Sequence, residues 1–317
     1  MGYRAPFPAE LNQVEYVKLY FHLEIVGSFN LPVYGLLQLR RELLQTLKIL
    51  SEQHGEDFSG QLKQLLQPDL SDDPVLLRQI QKPPPALVIS PDHLQHGFFE
   101  SQQRIVLPVL FIGSAINTID PFISLLQYLG RQGLYHNTGQ FVLEGVEAED
   151  GSGLRSMLWF AGKSLAPLTP PVNHLSWWLE RQPCFGDSIE LEIVTPLRLL
   201  RQGKPLFKVD FTAMFPYLLR RVTALLASYS RFELIADPGR LLALAKRVKS
   251  LENRLTWNDW RTLNHEQGGQ NLGGLLGPLR ISGDELTELL WILQLGSLFN
   301  FGKGAAYGAG QYCLNYS

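Results

Sequence analysis

The N-terminal part of the chain changes from a β-type pattern to leucines at helical spacing. Residues Glu15 to Val26 are rich in Val, Tyr, Phe and Ile, which is typical of a strand. Pro32 and Gly35 then indicate a loop, and leucines recur at helical spacing from Leu36 to Leu50. The pattern predicts a strand followed by a helix.

Four more elements are predicted in the same half. Ala86–Ser90 and Arg104–Ile112 favour strands, Asn117–Arg131 favours a helix, and Gln140–Glu147 favours a last strand. The polar stretch from Ser51 to Pro85 comes before them, and its composition predicts an exposed excursion.

The second half repeats this order of elements. An apolar pattern on both sides of Gln202-Gly203-Lys204 predicts a hairpin, and a long helix follows. Two strand-like segments, a helix and a final strand complete the series. The predicted elements are Ser188–Arg201, Pro205–Phe211, Thr212–Arg231, Val248–Trp257, Gly274–Ile281, Asp284–Leu295 and Ala309–Leu314.

The order strand, helix, strand, strand, helix, strand therefore occurs twice. We predict an α+β protein of two tandem ferredoxin-like domains, each with an antiparallel sheet covered by helices on one face. The other face of each sheet would remain free for a partner. The predicted boundaries are an N-terminal domain at 1–148, a connector at 149–186 and a C-terminal domain at 187–317.

Composition narrows the class of protein. Hydrophobic residues make up 45% and charged residues 18% of the 317 positions, as in an ordinary globular protein. No apolar stretch approaches the roughly 20 residues needed to cross a bilayer, and the first residues do not resemble a secretory signal. Cys184 and Cys313 are too few for a disulfide framework. We therefore expect a cytoplasmic protein with no membrane partner.

The formal net charge of −2 neither requires nor excludes a nucleic-acid partner. Residues 186–317 hold 15 Lys and Arg against 12 Asp and Glu, a net of +3, whereas the remainder has a net of −5. A short RNA needs only a local basic surface. Charge alone leaves the question open.

The most informative segment is a glycine-rich stretch near the C-terminus. Gly302, Gly304, Gly308 and Gly310 lack a Cβ atom where a backbone would approach another group closely, and Lys303 adds a positive charge. Backbone amides in such a loop can bind phosphate. The spacing does not match a Walker loop or a dinucleotide fingerprint. A glycine turn needed only for packing is the alternative.

Other motifs support an interpretation of this loop. A G-K-x-x-x-x-G-x-G sequence between the last helix and the last strand of a second ferredoxin-like domain resembles the CRISPR repeat-cleaving endoribonucleases of the RAMP superfamily. The resemblance extends over nearly the whole chain. Supporting segments are Leu31–Gly35, Gly113–Ala115, Thr195–Arg198, Gly203–Pro205, Trp257–Trp260 and Gly273–Gly277.

The resemblance implies a function and a partner. It predicts recognition of CRISPR repeat RNA and metal-independent cleavage of the precursor, in which the ribose 2′-hydroxyl attacks the adjacent phosphate. A base accepts the 2′ proton, an acid protonates the leaving oxygen, and a cation stabilises the developing charge. No metal or other cofactor is expected. Other CRISPR effector proteins and a second copy of the chain are further candidate partners.

The resemblance also indicates which residues act. His54, with Tyr34 as its partner, is the candidate for proton transfer, and Lys303 is the candidate for charge stabilisation. A solvated histidine and a tyrosine that closes the core are the alternatives. Predicted RNA-binding residues are Arg40, Arg41, Arg220, Arg221, Asn300, Gly302, Lys303, Gly304, Gly308 and Gly310. For the arginine pairs, the alternative is a solvated helix face.

Two departures from the family pattern leave a second function open. Asn300 stands where many relatives have a histidine, and Glu266 stands where an arginine is expected. Asparagine cannot transfer a proton, and glutamate opposes phosphate binding. The alternative is a catalytically degenerate subunit that binds repeat RNA in a CRISPR complex.

Overall fold

The computed structural model describes residues 6–54, 56–70, 80, 82–163, 168–183, 186–230, 237–259 and 273–316, without the side chains of 53, 54 and 56–58. The chain divides into two compact units. The N-terminal unit comprises Gln13–Leu175 and Ser228–Ser230, and the C-terminal unit comprises Met1–Asn12, Ser176–Ala227 and Arg231–Ser317. The boundaries of the predicted connector remain a prediction.

The N-terminal unit contains the first predicted series of elements. Its strands are β1 (Glu15–Ile25), β2 (Phe29–Leu31), β3 (Leu87–Ile89), β4 (Gly97–Phe99), β5 (Arg104–Ile112), β6 (Phe141–Glu149), β7 (Arg155–Phe160) and β8 (Asn173–His174). Its helices are α1 (Leu39–His54), α2 (Glu56–Leu66), α3 (Ile119–Gln132) and the short α4 (Leu134–Asn137). Short 3-10 turns at Gly35–Gln38 and Gly113–Thr118 precede α1 and α3.

The main sheet has the strand order β3-β5-β1-β6-β7, and its pairs are antiparallel. Strands β3, β5, β1 and β6, together with α1 and α3, form a ferredoxin-like fold. Alternation along β1 explains its orientation, because Leu19, Phe21 and Leu23 are fully buried. The ring of Phe122 on α3 contacts Phe21 edge-on at a centroid distance of 5.5 Å, which places α3 on this face of the sheet.

A single side chain continues the edge of this sheet beyond β3. Val106 on β5 donates its backbone N–H to Gln95 Oε1 at 2.8 Å, and its carbonyl accepts from Gln95 Nε2 at 2.9 Å. These are the two bonds that a neighbouring strand would make. The amide of Gln95 therefore takes the place of a strand residue on β5.

Two segments differ from the sequence prediction. The predicted excursion begins with the end of α1 and then forms α2, because Leu62, Leu65 and Leu66 are buried on one side of that helix. In the predicted connector, β7 pairs with β6 as a hairpin that extends the sheet by one strand. The polar composition of the first segment and the Gly, Pro and Ser residues of the second explain why these elements were not predicted.

The C-terminal unit contains the second series. Its strands are β9 (Ser188–Leu197), β10 (Leu200–Arg201), β11 (Lys204–Pro205), β12 (Lys249–Asn253), β13 (Thr256–Asn258), β14 (Gly274–Ser282) and β15 (Tyr312–Tyr316). Its helices are α5 (Leu175–Glu180), α6 (Phe211–Tyr229), α7 (Pro238–Ala245) and α8 (Leu286–Phe299), of which α5 and α6 extend into segments assigned to the N-terminal unit.

The sheet order β12-β14-β9-β15 repeats that of β3-β5-β1-β6 in the first unit. The prediction of two ferredoxin-like folds is confirmed. The predicted strand Pro205–Phe211 is wrong, since β11 ends at Pro205 and Phe211 begins α6. Phe211 is fully buried as part of the helix, which explains the apolar pattern that favoured a strand.

Within the described part of the chain, no helix is both long enough and apolar enough to cross a membrane.

Candidate nucleic-acid interface

The glycine-rich loop, residues 301–310, connects α8 to β15. Gly302, Gly304, Gly308 and Gly310 have φ values of 91°, 86°, 91° and 67°, in the left-handed region that favours glycine. A Cβ atom on Gly310 would lie 1.8 Å from the carbonyl oxygen of Phe301. The loop therefore requires glycine for its own backbone.

The end of β9 fixes the position of this loop. The Thr195 hydroxyl donates to the carbonyl of Gly308 at 2.7 Å and accepts from the backbone N–H of Gln311 at 2.8 Å. Lys303 donates its backbone N–H to the carbonyl of Arg198 at 2.9 Å. These bonds hold the loop against the motif Thr195–Arg198 that supported its interpretation.

Asn300 lies inside the structure that forms the loop. It is fully buried, its φ is 55°, and its Nδ2 donates to the carbonyl of Ala305 at 3.2 Å. The side chain thus stabilises the path of the loop from within. Its predicted contact with RNA remains a prediction.

The two adjacent arginines of α6 have different surroundings. Arg221 donates from Nη2 to the carbonyl of Phe299 at 3.2 Å, at the end of α8 where carbonyl groups lack helical partners. Arg220 is exposed, and its guanidinium carbon lies 5.2 Å from the centroid of the Tyr217 ring. Arg220 is therefore the better placed of the two to meet a phosphate.

Several cationic residues lie on the glycine-rich loop and on the segment that anchors it. Lys303 is exposed at the tip of the loop, and Arg201 and Lys204 are exposed on the β10–β11 hairpin that follows Arg198. The Tyr217 hydroxyl donates to the carbonyl of Leu200 at 3.0 Å and so connects this hairpin to α6. We call Lys303, Arg198, Arg201, Lys204 and Arg220 the loop surface.

Sequence analysis had selected two members of the loop surface, Lys303 and Arg220. Arg198, Arg201 and Lys204 were not selected, although Arg198 and Lys204 belong to motifs that supported the family resemblance. The signal available was the basic character of the turn Arg201–Lys204. What the sequence could not show is that Tyr217 holds this turn to the helix that carries Arg220.

The remaining predicted residues lie in the N-terminal unit. Tyr34 precedes a 3-10 turn in a left-handed conformation, with φ 60° and ψ 17°. Burial raises the pKa of its half-buried hydroxyl, so this group stays protonated at neutral pH. Arg40 is half-buried and Arg41 is exposed in the first turn of α1.

His54 is the last residue of α1, not a residue of the loop that sequence analysis predicted after this helix. Its side chain lies outside the described part of the structure, so its role in proton transfer remains a prediction. His265 and Glu266 also lie outside the described residues.

Sequence analysis missed a buried carboxyl group on α1. Burial raises the pKa of Glu42 to about 7, although the carboxyl accepts hydrogen bonds from the backbone N–H groups of Tyr135 and His136. Arg41 opposes the shift electrostatically. The carboxyl group of Glu42 therefore connects α1 to the turn that follows α3.

The sheet face of the N-terminal unit opposite α3 carries a polar network. Lys18 Nζ lies 3.0 Å from Glu149 Oε2, the Tyr20 hydroxyl donates to the same carboxylate, and His22 Nε2 lies 3.1 Å from Glu147 Oε2. The Lys18 ammonium and the His22 imidazole thus face carboxylates of the neighbouring strand β6. Among the described residues, no group of three or more His, Cys, Asp or Glu side chains could hold a metal ion.

Comparisons with protein families match both units. The family described as CRISPR-associated endoribonuclease Cas6 matches residues 191–312, and a family described as an N-terminal domain matches residues 14–170. No curated protein sequence matches the chain.

Several solved structures have a similar fold. A partial Cas6-RT-Cas1–Cas2 complex matches 99% of this chain at 15% identity and a TM-score of 0.58, but the match covers only 47% of that longer chain. A Cas6 product complex matches 95% of this chain and 100% of its own at 14% identity and a TM-score of 0.56. Thermus thermophilus Cas6 matches 95% of this chain and 99% of its own at 13% identity and a TM-score of 0.53. The chain thus spans about half the length of the first of these.

Proposed function

We propose that the chain is a CRISPR-associated endoribonuclease of the Cas6 type, which binds CRISPR repeat RNA and cuts it through the ribose 2′-hydroxyl. The match of residues 191–312 to the Cas6 family supports this proposal. The observation that carries this proposal is the loop surface. It places an exposed lysine at the tip of a fixed glycine-rich loop and adds arginine and lysine side chains along the segment that anchors it.

In the proposed reaction, the 2′-oxygen forms a bond to phosphorus as the bond from phosphorus to the 5′-oxygen breaks. The products are a 2′,3′-cyclic phosphate and a free 5′-hydroxyl. His54 accepts the 2′ proton, and Tyr34 donates a proton to the leaving 5′-oxygen, since burial keeps its hydroxyl protonated until that step. Lys303 stabilises the charge that develops on the phosphate. The nucleophile belongs to the RNA, so the proposed steps need no metal ion.

A second candidate function is binding of repeat RNA without cleavage. Asn300 favours it, because an amide that is buried and bonded to Ala305 cannot transfer protons at this place in the loop. The loop surface supports RNA binding in either case.

Single-turnover cleavage of the cognate repeat RNA in EDTA separates these functions. We expect cutting to continue in the chelator and to stop when the scissile ribose is replaced by 2′-deoxyribose. His54→Ala is expected to lower the rate about 10²–10⁴-fold while binding stays close to that of the parent. Tight binding with no cutting by the parent would favour the second function. Cutting of the deoxy-substituted RNA would contradict the mechanism.

We propose separately that the chain associates with other CRISPR proteins and that two copies of it form a homodimer. The Cas6-containing chain of the Cas6-RT-Cas1–Cas2 complex is more than twice as long as the matched region, which is why the assembly cannot be transferred directly. Light scattering of the purified protein, alone and with RNA, tests for the homodimer.

A further inference from the structure

The turn Gly133–Gly139 occupies, in the N-terminal unit, the place that the glycine-rich loop occupies in the C-terminal unit. Each connects the second main helix of a ferredoxin-like unit to its fourth strand, here α3 to β6. Leu134 and Gly139 close the turn by exchanging backbone hydrogen bonds of 2.8 and 3.0 Å. The two units thus present a fixed turn at equivalent positions.

The backbone of this turn is unfavourable for the residues it holds. Tyr135 has φ 45° and ψ 78°, His136 has φ 60° and ψ 38°, and Asn137 has φ 64°. Left-handed conformations are disfavoured for residues with a Cβ atom, most of all for bulky ones. Glycine could adopt the same φ and ψ values without this cost, and in the glycine-rich loop of the C-terminal unit glycine occupies the left-handed positions. Tyrosine and histidine are therefore not explained by the needs of the turn.

Glu42 holds the turn in this conformation from the adjacent helix. Its carboxyl group accepts hydrogen bonds from the backbone N–H groups of both Tyr135 and His136. Two successive amides that point to one acceptor form an anion-binding concavity, and here the protein supplies the acceptor itself. Because Glu42 accepts from both amides, a ligand at this turn would meet its side chains rather than its amides.

Those side chains have the chemistry of unpaired-base recognition. The rings of Tyr135 and His136 are half-buried and meet edge to face, with centroids 4.8 Å apart and an interplanar angle of 72°. Asn137 is exposed beside them, and its amide can both donate and accept. Single-stranded RNA is recognised by stacking on aromatic side chains and by hydrogen bonds to base edges. Arg41, close enough to Glu42 to affect its titration, supplies a cation for phosphate.

We infer that Tyr135, His136 and Asn137 form a binding site for an unpaired nucleotide of the RNA substrate, with Glu42 as the positioning residue that holds the turn. This site is separate from the loop surface, which belongs to the other unit. The inference rests on the proposed function, since it names RNA as the ligand, and it assigns part of the recognition to side chains that the proposed cleavage does not use.

Glycine substitutions separate binding from folding. Tyr135→Gly and His136→Gly remove a ring and at the same time relieve the left-handed backbone, so their thermal midpoints should equal or exceed that of the parent. Their Kd for the repeat RNA should nevertheless weaken by about five- to hundredfold, the effect of losing one stacked base. A turn with only a structural role would show no loss of affinity in a stable variant. Such a result would overturn the inference.

Variants that retain a ring separate stacking from proton transfer. His136→Phe should bind RNA within about threefold of the parent, because a phenyl ring also stacks on a base. At saturating protein, its single-turnover cleavage rate should fall by no more than the same factor of about three, whereas loss of a proton-transfer group would lower it about 10²–10⁴-fold. A lost cleavage rate with unchanged Kd would make His136 a catalytic group and overturn the binding role.

A fluorescent base locates the contact. With 2-aminopurine at successive unpaired positions of the repeat, one position should be quenched by the parent and by His136→Phe but not by the two glycine variants. Phe98→Ala removes an aromatic side chain that is 66% exposed elsewhere in the same unit, and it should leave Kd and quenching unchanged. Quenching that persists in both glycine variants would contradict the inference.

The proposed function and this inference fail differently. If the parent binds the repeat RNA tightly and the glycine variants bind it equally, only the nucleotide site is wrong. If the parent does not bind the repeat RNA at low salt, the proposed function is wrong and the inference fails with it.

Discussion

Lys303 is the exposed residue at the tip of the glycine-rich loop, and its contribution to RNA binding can be measured directly. Lys303→Ala should weaken binding by roughly 1–2 kcal/mol, as expected for loss of one charge-assisted contact. The slope of log K against log salt should fall by about one contact. Binding isotherms at several salt concentrations provide the measurement. Lys246→Ala, an exposed lysine just after α7, is the matched control and should change neither quantity.

Glu42 predicts a pH dependence of stability. Burial raises its pKa to about 7 from an ordinary 4.5, so between these values the folded protein binds a proton that the unfolded chain has lost. The contribution of Glu42 to the free energy of unfolding should therefore fall as pH rises from about 4.5 to about 7, by on the order of 3 kcal/mol.

Urea unfolding across this pH range measures the effect. Glu42→Gln should flatten the dependence, because an amide does not titrate, whereas the exposed Glu52→Gln should leave it as in the parent. If the free energy of unfolding changed by the same amount between pH 4.5 and pH 7 in the parent and in Glu42→Gln, the assignment would be contradicted.

At the scale of elements, the geometry of the glycine-rich loop predicts that replacing glycine by alanine lowers the stability of the protein by different amounts at two positions. Gly310→Ala would place Cβ 1.8 Å from the Phe301 carbonyl oxygen, so the backbone must move. Gly304→Ala would meet only the Ala309 side chain at 3.3 Å and would mainly incur the cost of a left-handed φ. We expect a loss of about 1 kcal/mol for Gly304→Ala and at least about 3 kcal/mol for Gly310→Ala. Equal losses in denaturant unfolding would argue against the loop geometry.

The same elements show what sequence could predict. The strands on each side of the core were predicted well because burial on one face leaves a regular apolar pattern; Arg104–Ile112 was predicted with its observed limits. The helix α2 was missed because its apolar residues are few, Phe58 and three buried leucines, among mostly polar neighbours. The hairpin strand β7 was missed because it exposes the apolar Met157 and Phe160, so it lacks the alternation of buried apolar and exposed polar residues that predicts a strand.

The part of the candidate site that forms one continuous segment could be proposed from the sequence. The part that depends on contacts between distant residues could not. The glycine-rich composition and the resemblance selected the four loop glycines and Lys303. The left-handed φ values of the glycines give a physical reason for glycine at these positions, and their contact with RNA remains a prediction. The connection of Glu42 to Tyr135 and His136 joins positions more than 90 residues apart and leaves no local pattern. Nothing in the sequence marks Tyr135 as left-handed.

At the scale of the whole molecule, each unit has its own core, so a core substitution should act mainly within one unit. Phe122→Ala removes a fully buried ring between α3 and the sheet of the N-terminal unit and should cost about 3–5 kcal/mol. Hydrogen exchange should then accelerate in β1, β5 and β6, while β9 and β14 keep more of their protection. The corresponding Phe299→Ala should produce the opposite pattern. Equal loss of protection throughout the chain in both variants would show that the two units unfold as one.

The amide of Gln95 has a consequence for how copies of this chain behave at high concentration. An uncovered strand edge is a template on which a strand from another molecule can add. Gln95 bonds both the N–H and the carbonyl of Val106, on the part of β5 that β3 does not cover. A strand from another molecule could therefore not pair with β5 at this residue. Gln95→Ala should therefore leave the fold in place but increase turbidity on prolonged incubation, and Gln95→Glu, which keeps an acceptor and adds charge repulsion between copies, should not.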